Sequence, residues 1–167
     1  MVAVMCAGAL TARYSRVRTK LVLTKKRLTP MTQHKPIRII LVVEDIAETR
    51  DGIEHLLKSD GYRIVAARNE VDAITLALHT APDLILVSLA GLHAAVIATA
   101  RQIRLRAELS DVVPIVIFCI AEIGEGDEVA IGQNVYLTRP DNFNQLRTLL
   151  GRLLQLDQTP PVLVAVP

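Results

Sequence analysis

Residues 38–45 read Arg-Ile-Ile-Leu-Val-Val-Glu-Asp, a continuous apolar run that ends in two acids. An apolar run of this length without polar alternation is typical of a strand buried on both faces of a parallel sheet. Two further runs of the same kind occur at 84–87, after Pro82, and at 115–119, after Pro114. The sequence therefore predicts a parallel sheet whose two faces are both covered.

Amphipathic segments separate these runs. Between 48 and 58, Ile53, Leu56 and Leu57 recur at helical spacing among charged residues, and Asp60-Gly61 ends the helix. Strands that alternate with helices need right-handed crossovers, so we predict an α/β fold with five parallel strands and helices on both faces. Binding sites in such folds lie at the carboxyl ends of the strands.

The remaining predicted elements follow in the same alternation. They are a strand at 63–66, a helix at 70–78, a strand at 84–87, a helix from about 94 to 108, a strand at 115–119, a short helix, a strand at 135–137 and a helix at 142–154. Pro36 and Pro160-Pro161 bracket this pattern. We therefore expect one domain at 36–155, an N-terminal tail at 1–35 and a C-terminal tail at 156–167, with no output domain after it.

Charge is distributed unevenly along the chain. Residues 1–35 contain eight of the 19 basic residues and no acidic residue. Residues 36–167 therefore contain 11 basic and 17 acidic residues, which gives a net charge of −6. An acidic domain with a basic tail supports only weak, salt-sensitive attraction to nucleic acid. We therefore do not expect nucleic acid as the main partner, although an accessory that uses the basic tail stays open as a second alternative.

Cysteine usage and hydropathy point to the cytoplasm. Cys6 and Cys119 form neither a disulfide framework nor a metal-ligand spacing. No apolar run approaches the roughly 20 residues that span a bilayer, so no membrane association is expected. The charges near the start follow the apolar stretch, unlike a secretory signal. A tail, an organelle transit peptide and a true start at Met31 all remain open for this segment.

Four short segments, each at the end of a predicted strand or helix, carry a family resemblance. They are Val43-Glu44-Asp45 through Arg50, Gly61-Tyr62, Pro82 through Leu89, and Tyr136-Leu137-Thr138-Arg139-Pro140. Together they resemble the receiver domain of two-component response regulators, over about 120 residues. The resemblance implies a flavodoxin-like, doubly wound domain that takes a phosphoryl group from a histidine kinase onto an aspartate beside Mg²⁺.

The phosphoacceptor position departs from that family. Glu44 and Asp45 match its acidic pair, whose hard carboxylate oxygens suit Mg²⁺, although acids before a helix also favour its dipole. The acceptor aspartate matches Ser88, which has neither the charge nor the nucleophilicity of a carboxylate. We therefore expect the Mg²⁺ site to be weak or lost and no other cofactor. Ser88 also lacks the glycines of a nucleophile elbow and a local His, which disfavours a hydrolase.

Other matched positions depart as well. Cys119 stands where the family has a hydroxyl, and its thiol donates weakly; it also fits a small buried hydrophobe. Arg139 replaces the family lysine, and we expect it to pair with Asp45 instead of phosphate. Tyr136 and Pro140 match the family's switch aromatic and the proline after its lysine. The loop after Ser88 also lacks the usual proline and glycine.

These observations predict a stand-alone receiver-like protein that is not an enzyme. It is expected to contact a protein partner, such as a histidine kinase or an effector, through its last two helices and Tyr136, independently of phosphorylation. The first alternative is a working phosphorelay receiver with a non-standard acceptor such as Asp45. Outside the site, His93 is expected at a helix end, and Arg101, Arg104 and Arg106 fall near a helix C-terminus, where cations are favourable without a ligand.

Overall fold

The computed structural model describes residues 36–118 and 122–156. In chain order the elements are β1 (Ile39–Glu44), α1 (Ala47–Ser59), β2 (Arg63–Ala67), α2 (Glu70–Thr80), β3 (Leu84–Ser88), α3 (His93–Arg106), β4 (Ile115–Phe118), β5 (Glu128–Ala130), β6 (Val135–Thr138) and α4 (Phe143–Leu156). The predicted α/β fold is confirmed, with boundaries within a few residues of those expected from the apolar runs.

The sheet has the strand order β2-β1-β3-β4-β6-β5. All neighbouring strands pair in parallel except β5, which runs antiparallel to β6. The chain therefore winds outward in one direction to β2 and in the other to β6, which is the doubly wound, flavodoxin-like arrangement.

Helices cover both faces of the sheet. Alternate side chains of β1 point to opposite sides, as strand geometry requires. Ile40 and Val42 belong to the core shared with α1 and α4, whereas Leu41 and Val43 belong to the core shared with α2 and α3. Both cores consist of buried and almost entirely aliphatic side chains, which is why the strands show no polar alternation.

Asp83 fixes the register of β1 against β3. One carboxylate oxygen accepts a hydrogen bond from the Arg38 guanidinium at 2.7 Å, and the other accepts from the backbone N–H of Ile39 at 2.7 Å. The backbone N–H of Asp83 in turn donates to the Ile39 carbonyl at 2.8 Å. These contacts align the beginnings of the two central strands, so that their last residues, Glu44 and Ser88, are directly paired.

The five expected parallel strands are all present, and a sixth, antiparallel strand is added to them; the predicted short helix before the last strand is wrong. In the described part of that segment, 122–134, the chain forms turns and the edge strand β5. Gly126 and Gly132 adopt φ of +85° and +84°, a region that an α-helix does not use. A tight turn at 132–134 then leads into β6, with the N–H of Val135 donating to the Gly132 carbonyl at 3.1 Å.

Some predictions fall on residues outside the described ranges. Cys119 and the predicted tail at 1–35 are among them, as is the predicted C-terminal tail except for Leu156, which is the last residue of α4. None of the helices in the described ranges is both long and apolar enough to cross a membrane.

Adjacent leucines on α1 test the assignment of the core. Leu57 is fully buried and Leu56 is 38% exposed. Because truncation of a buried leucine removes apolar contact and leaves a cavity, we expect Leu57→Ala to lower the free energy of unfolding by about 2–5 kcal/mol. Leu56→Ala should cost less than about 1 kcal/mol. Urea unfolding of both variants measures the difference, and equal losses would show that the faces of α1 are wrongly assigned.

Candidate functional site

The candidate site is a cleft at the carboxyl end of the sheet. Glu44 ends β1, Ser88 ends β3, and the two residues are paired in the parallel ladder. The loops that follow these strands enclose a cavity of about 380 Å³, which reaches Asp45 on one side and His93 on the other. The structure therefore brings together three of the predicted site residues, Glu44, Asp45 and Ser88.

Glu44 lies at the bottom of this cleft and is only 2% exposed. Its carboxylate accepts a hydrogen bond from the backbone N–H of Ile46 at 2.9 Å, at the start of α1. The Arg50 guanidinium donates to the Glu44 backbone carbonyl at 2.9 Å and places a positive charge beside it. One carboxylate oxygen is thus already bonded to the protein's own backbone.

Asp45 differs from Glu44 because its side chain is exposed to solvent. Carboxylate oxygens of this kind are the ligands that Mg²⁺ prefers, together with water. In the ranges that the structure describes, no three His, Cys, Asp or Glu side chains are grouped to hold a metal ion. Three carboxylates line the cleft, those of Glu44, Asp45 and Glu122. Glu44 and Glu122 already accept hydrogen bonds from the protein, and the Ser88 hydroxyl is neutral. This set fits a dication poorly, so the weak or lost Mg²⁺ site stays a prediction.

Arg139 lies apart from the acidic pair. Its side chain is exposed and does not line the cleft. Its backbone pairs with the loop before β5: the carbonyl accepts from the Gly126 N–H at 2.7 Å, and the N–H donates to the Asp127 carbonyl at 3.3 Å. Arg139 and Asp45 form no ion pair in the part of the chain that the structure describes, so the expected pairing is wrong; the Arg139 side chain faces solvent.

Tyr136 and Pro140 are both half-buried, on and just after β6. The Tyr136 ring packs against the core shared with α1 and α4. Its backbone lies opposite Ala130 of β5. The role of Tyr136 as a switch residue stays a prediction, and Cys119, which replaces the hydroxyl that acts with this aromatic in the resembled family, lies outside the described residues.

His93 is a site residue that sequence analysis missed. It is the first residue of α3, and its Nδ1 lies 2.6 Å from the Glu122 carboxylate, in the loop after β4. This hydrogen bond lowers the pKa of Glu122 below its ordinary value. Both residues line the same cleft as Ser88. The available signal was that each follows the end of a central strand, where the loops of a parallel sheet converge.

The presence of His93 does not make Ser88 a catalytic nucleophile. A serine is activated when a base lies within hydrogen-bond reach of its hydroxyl. Ser88 and His93 form no hydrogen bond within the described ranges, although they share the cleft. That Ser88 is not a hydrolase nucleophile, as the missing nucleophile elbow indicates, stays a prediction.

Comparison with known proteins gives structural neighbours only. No family model matches the chain, and no curated protein matches it. A signal receiver domain of a signal transduction histidine kinase from Syntrophus aciditrophicus is 22% identical, with a TM-score of 0.56, over 77% of this chain and 99% of that chain. The response regulator protein TrrA from Thermotoga maritima, determined in complex with Mg²⁺-BeF, is 20% identical, with a TM-score of 0.55, over 70% of this chain and 99% of that chain.

A chemotaxis response regulator of Vibrio cholerae is also similar, at 18% identity and a TM-score of 0.53, over 70% of this chain and 98% of that chain. Each neighbour is matched over at least 98% of its own length. The added strand β5 does not change the order of the five parallel strands. The chain therefore has the fold of the CheY-like receiver domains of response regulators.

Proposed function

We propose that this chain is a cytoplasmic receiver-like signalling protein that works through protein contacts without aspartyl phosphorylation. The observation that carries the proposal is the pairing of Ser88 with Glu44 at the ends of β3 and β1. The strand end that carries the acceptor aspartate in the resembled family here presents a neutral hydroxyl. No reaction is assigned to the protein.

The chemistry of the cleft supports this proposal. A serine hydroxyl is a weak nucleophile without an adjacent base, and it contributes no charge toward Mg²⁺. Two unit charges about 4 Å apart interact by about 4 kcal/mol at an effective dielectric near 20, so one carboxylate fewer removes a large part of the attraction for a dication. Glu44 and Asp45 remain, but the acceptor carboxylate that the resembled family has beside them is replaced by the Ser88 hydroxyl.

The wall of the cleft is held by the protein's own hydrogen bond. Glu122 follows β4 and is bonded to His93 at the start of α3. This bond joins the loops after β3 and β4 across the mouth of the cleft without any bound group. We infer that this bond favours the observed placement of Glu122 beside α3, with a small contribution because both side chains are partly exposed.

The proposed contact surface is the β5–β6–α4 face, defined by β5, Tyr136 and the exposed side of α4. The interaction face expected from the sequence included a helix before the last strand, and β5 occupies that place. Val129 on β5 is 42% exposed. An ion pair between Glu128 and Arg152 joins β5 to α4. We propose a histidine kinase or an effector protein as the partner of this face.

A second candidate function keeps phosphotransfer but moves the acceptor. Asp45 favours it, because its carboxylate is exposed and lines the cleft beside Ser88. A carboxylate in this position is a nucleophile of the type that forms acyl phosphates. The phosphoryl-uptake experiment below distinguishes the two functions.

The first prediction concerns phosphoryl uptake from acetyl phosphate with Mg²⁺, followed by intact mass spectrometry. We expect no phosphoryl adduct on the wild-type protein and one adduct on Ser88→Asp, because the substitution restores a carboxylate beside Glu44 and Asp45. Ser59→Asp adds the same charge at the exposed end of α1 and should remain unmodified. A wild-type adduct that disappears in Asp45→Asn would establish the second candidate and overturn the first.

The second prediction concerns the proposed face. Immobilised full-length protein should retain its partner in the absence of Mg²⁺ and phosphodonor, and added acetyl phosphate should leave the retained amount unchanged. Val129→Arg should lose the partner, because it places a charge in the centre of the face. Val71→Arg, at a position 69% exposed on α2, is the matched control and should retain it. Retention that requires phosphodonor contradicts the proposal.

The third prediction concerns the pH dependence of the bond between His93 and Glu122. The lowered pKa of Glu122 means that the bond's contribution to stability is present above the ordinary carboxyl pKa and is lost as pH falls through the lowered one. Glu122→Gln should therefore unfold at a slightly lower temperature than wild type near neutral pH. This difference in unfolding temperature should disappear in acid. Glu125→Gln, an exposed acid in the same loop, serves as the control. A difference in unfolding temperature that persists unchanged in acid would show that Glu122 protonation is not linked to stability.

A further inference from the structure

A second cavity lies at the other end of α3 from the cleft. Its volume is about 580 Å³; it is open to solvent and is lined by the last turns of α3, by residues 108–111 and by Gln133 in the turn between β5 and β6. Arg101, Arg104 and Gln133 line it, and we call it the arginine cavity. The proposed function makes no use of it.

Arg104 is a buried cation with an incomplete counter-charge. The residue is only 4% exposed. Its Nη1 donates to the backbone carbonyls of Gln133, at 2.8 Å, and Val113, at 3.3 Å. The carboxylate of Asp111 lies 3.4 Å from Nη2, but the Asp111 side chain is 88% exposed. A solvated carboxylate neutralises a buried guanidinium weakly, because water screens it.

The positive charge and the hydrogen-bond donors of Arg101 are compensated even less than those of Arg104. Its Nη2 donates to the Ile131 carbonyl at 3.5 Å, the long limit of a hydrogen bond, and its Nε is buried without any partner. Arg38 also has a buried Nε without a partner, but its guanidinium is paired with Asp83 at 2.7 Å. Within the described ranges Arg101 has no carboxylate within ion-pair distance. It therefore combines a buried unbonded donor with an unpaired charge.

The acids at this cavity lie on its outer side. Glu108 and Asp111 also line it, and both are exposed to solvent. Because the two guanidinium groups are more buried than the two carboxylates, they are less screened by water, which favours a small, compact anion beside them. A polyanion such as nucleic acid would meet the rim first and be repelled.

We propose that the arginine cavity binds the phosphate group of a small molecule, with Arg101 and Arg104 as donors. The planar guanidinium offers two parallel N–H groups to phosphate oxygens, which gives strong, charge-assisted hydrogen bonds. Bound phosphate would also supply a counter-charge for both guanidinium groups through their terminal Nη atoms, whereas the buried Arg101 Nε is out of its reach. The site links α3 to the β5–β6 turn, because Arg104 and Arg101 already bond to the carbonyls of Gln133 and Ile131.

The test uses the full-length protein and inorganic phosphate as the probe. Thermal unfolding and calorimetric titration are followed at constant ionic strength, with chloride as the replaced anion. We expect phosphate to raise the unfolding temperature above that in chloride, since a ligand that binds only the folded state stabilises it. Arg101→Gln should raise the dissociation constant by about tenfold or more, equivalent to about 1.4 kcal/mol.

Two further variants test phosphate binding independently of Arg101→Gln, and so also apply if that variant folds poorly. Arg106→Gln removes the same charge from the same helix at an exposed position that pairs with Glu70, and it should leave binding unchanged. Asp111→Asn removes a competing carboxylate at a solvent-exposed position and should tighten binding. An equal effect of Arg106→Gln, weaker binding in Asp111→Asn, or no stabilisation beyond chloride would overturn the proposal. Malonate binding as tightly as phosphate would overturn the assignment to phosphate.

Discussion

The bidentate contact of Asp83 with Arg38 and Ile39 sets the geometry on which the site depends. In a parallel sheet, a shift of one residue between neighbouring strands turns every side chain to the opposite face. Asp83 lies just before β3 and bonds to Arg38 and Ile39 at the start of β1. This alignment determines which residues of the two strands are paired five positions later. A contact at the amino end of the strands thereby decides what the carboxyl end presents to solvent. Glu44 meets Ser88 because of it.

Much of the fold could be predicted from the apolar runs. The runs that became β1, β3 and β4 lack polar alternation because both faces of these strands are buried, and this signal is local. The strand β5 could not be found in the same way. All three of its residues are exposed, so its sequence carries no burial pattern, and it exists because β6 offers an open edge. The glycines at 124, 126 and 132 were the available evidence against a helix in this segment.

The site was predictable where it followed a strand and unpredictable where it depended on loops. Glu44, Asp45 and Ser88 come directly after apolar runs, so their meeting in one cleft follows from parallel topology alone. The bond between His93 and Glu122 joins residues 29 positions apart through side-chain conformations that no short pattern encodes. Arg139 also follows a strand and matches the family lysine in the sequence, but this match did not predict the direction of its side chain. Its backbone is engaged by the loop before β5, and the side chain faces solvent.

The exposed edge strand β5 also bears on how the molecule behaves in a crowded solution. The outer strand of any sheet presents free backbone N–H and C=O groups that can recruit another chain into a growing ribbon. Here the outer strand has three residues, begins with Glu128 held by Arg152, and is bounded by turns at both ends. A template so short and so charged offers an incoming strand few consecutive hydrogen bonds. At this edge of the sheet, the short strand β5 therefore disfavours the addition of a strand from another molecule, and β2 forms the opposite edge.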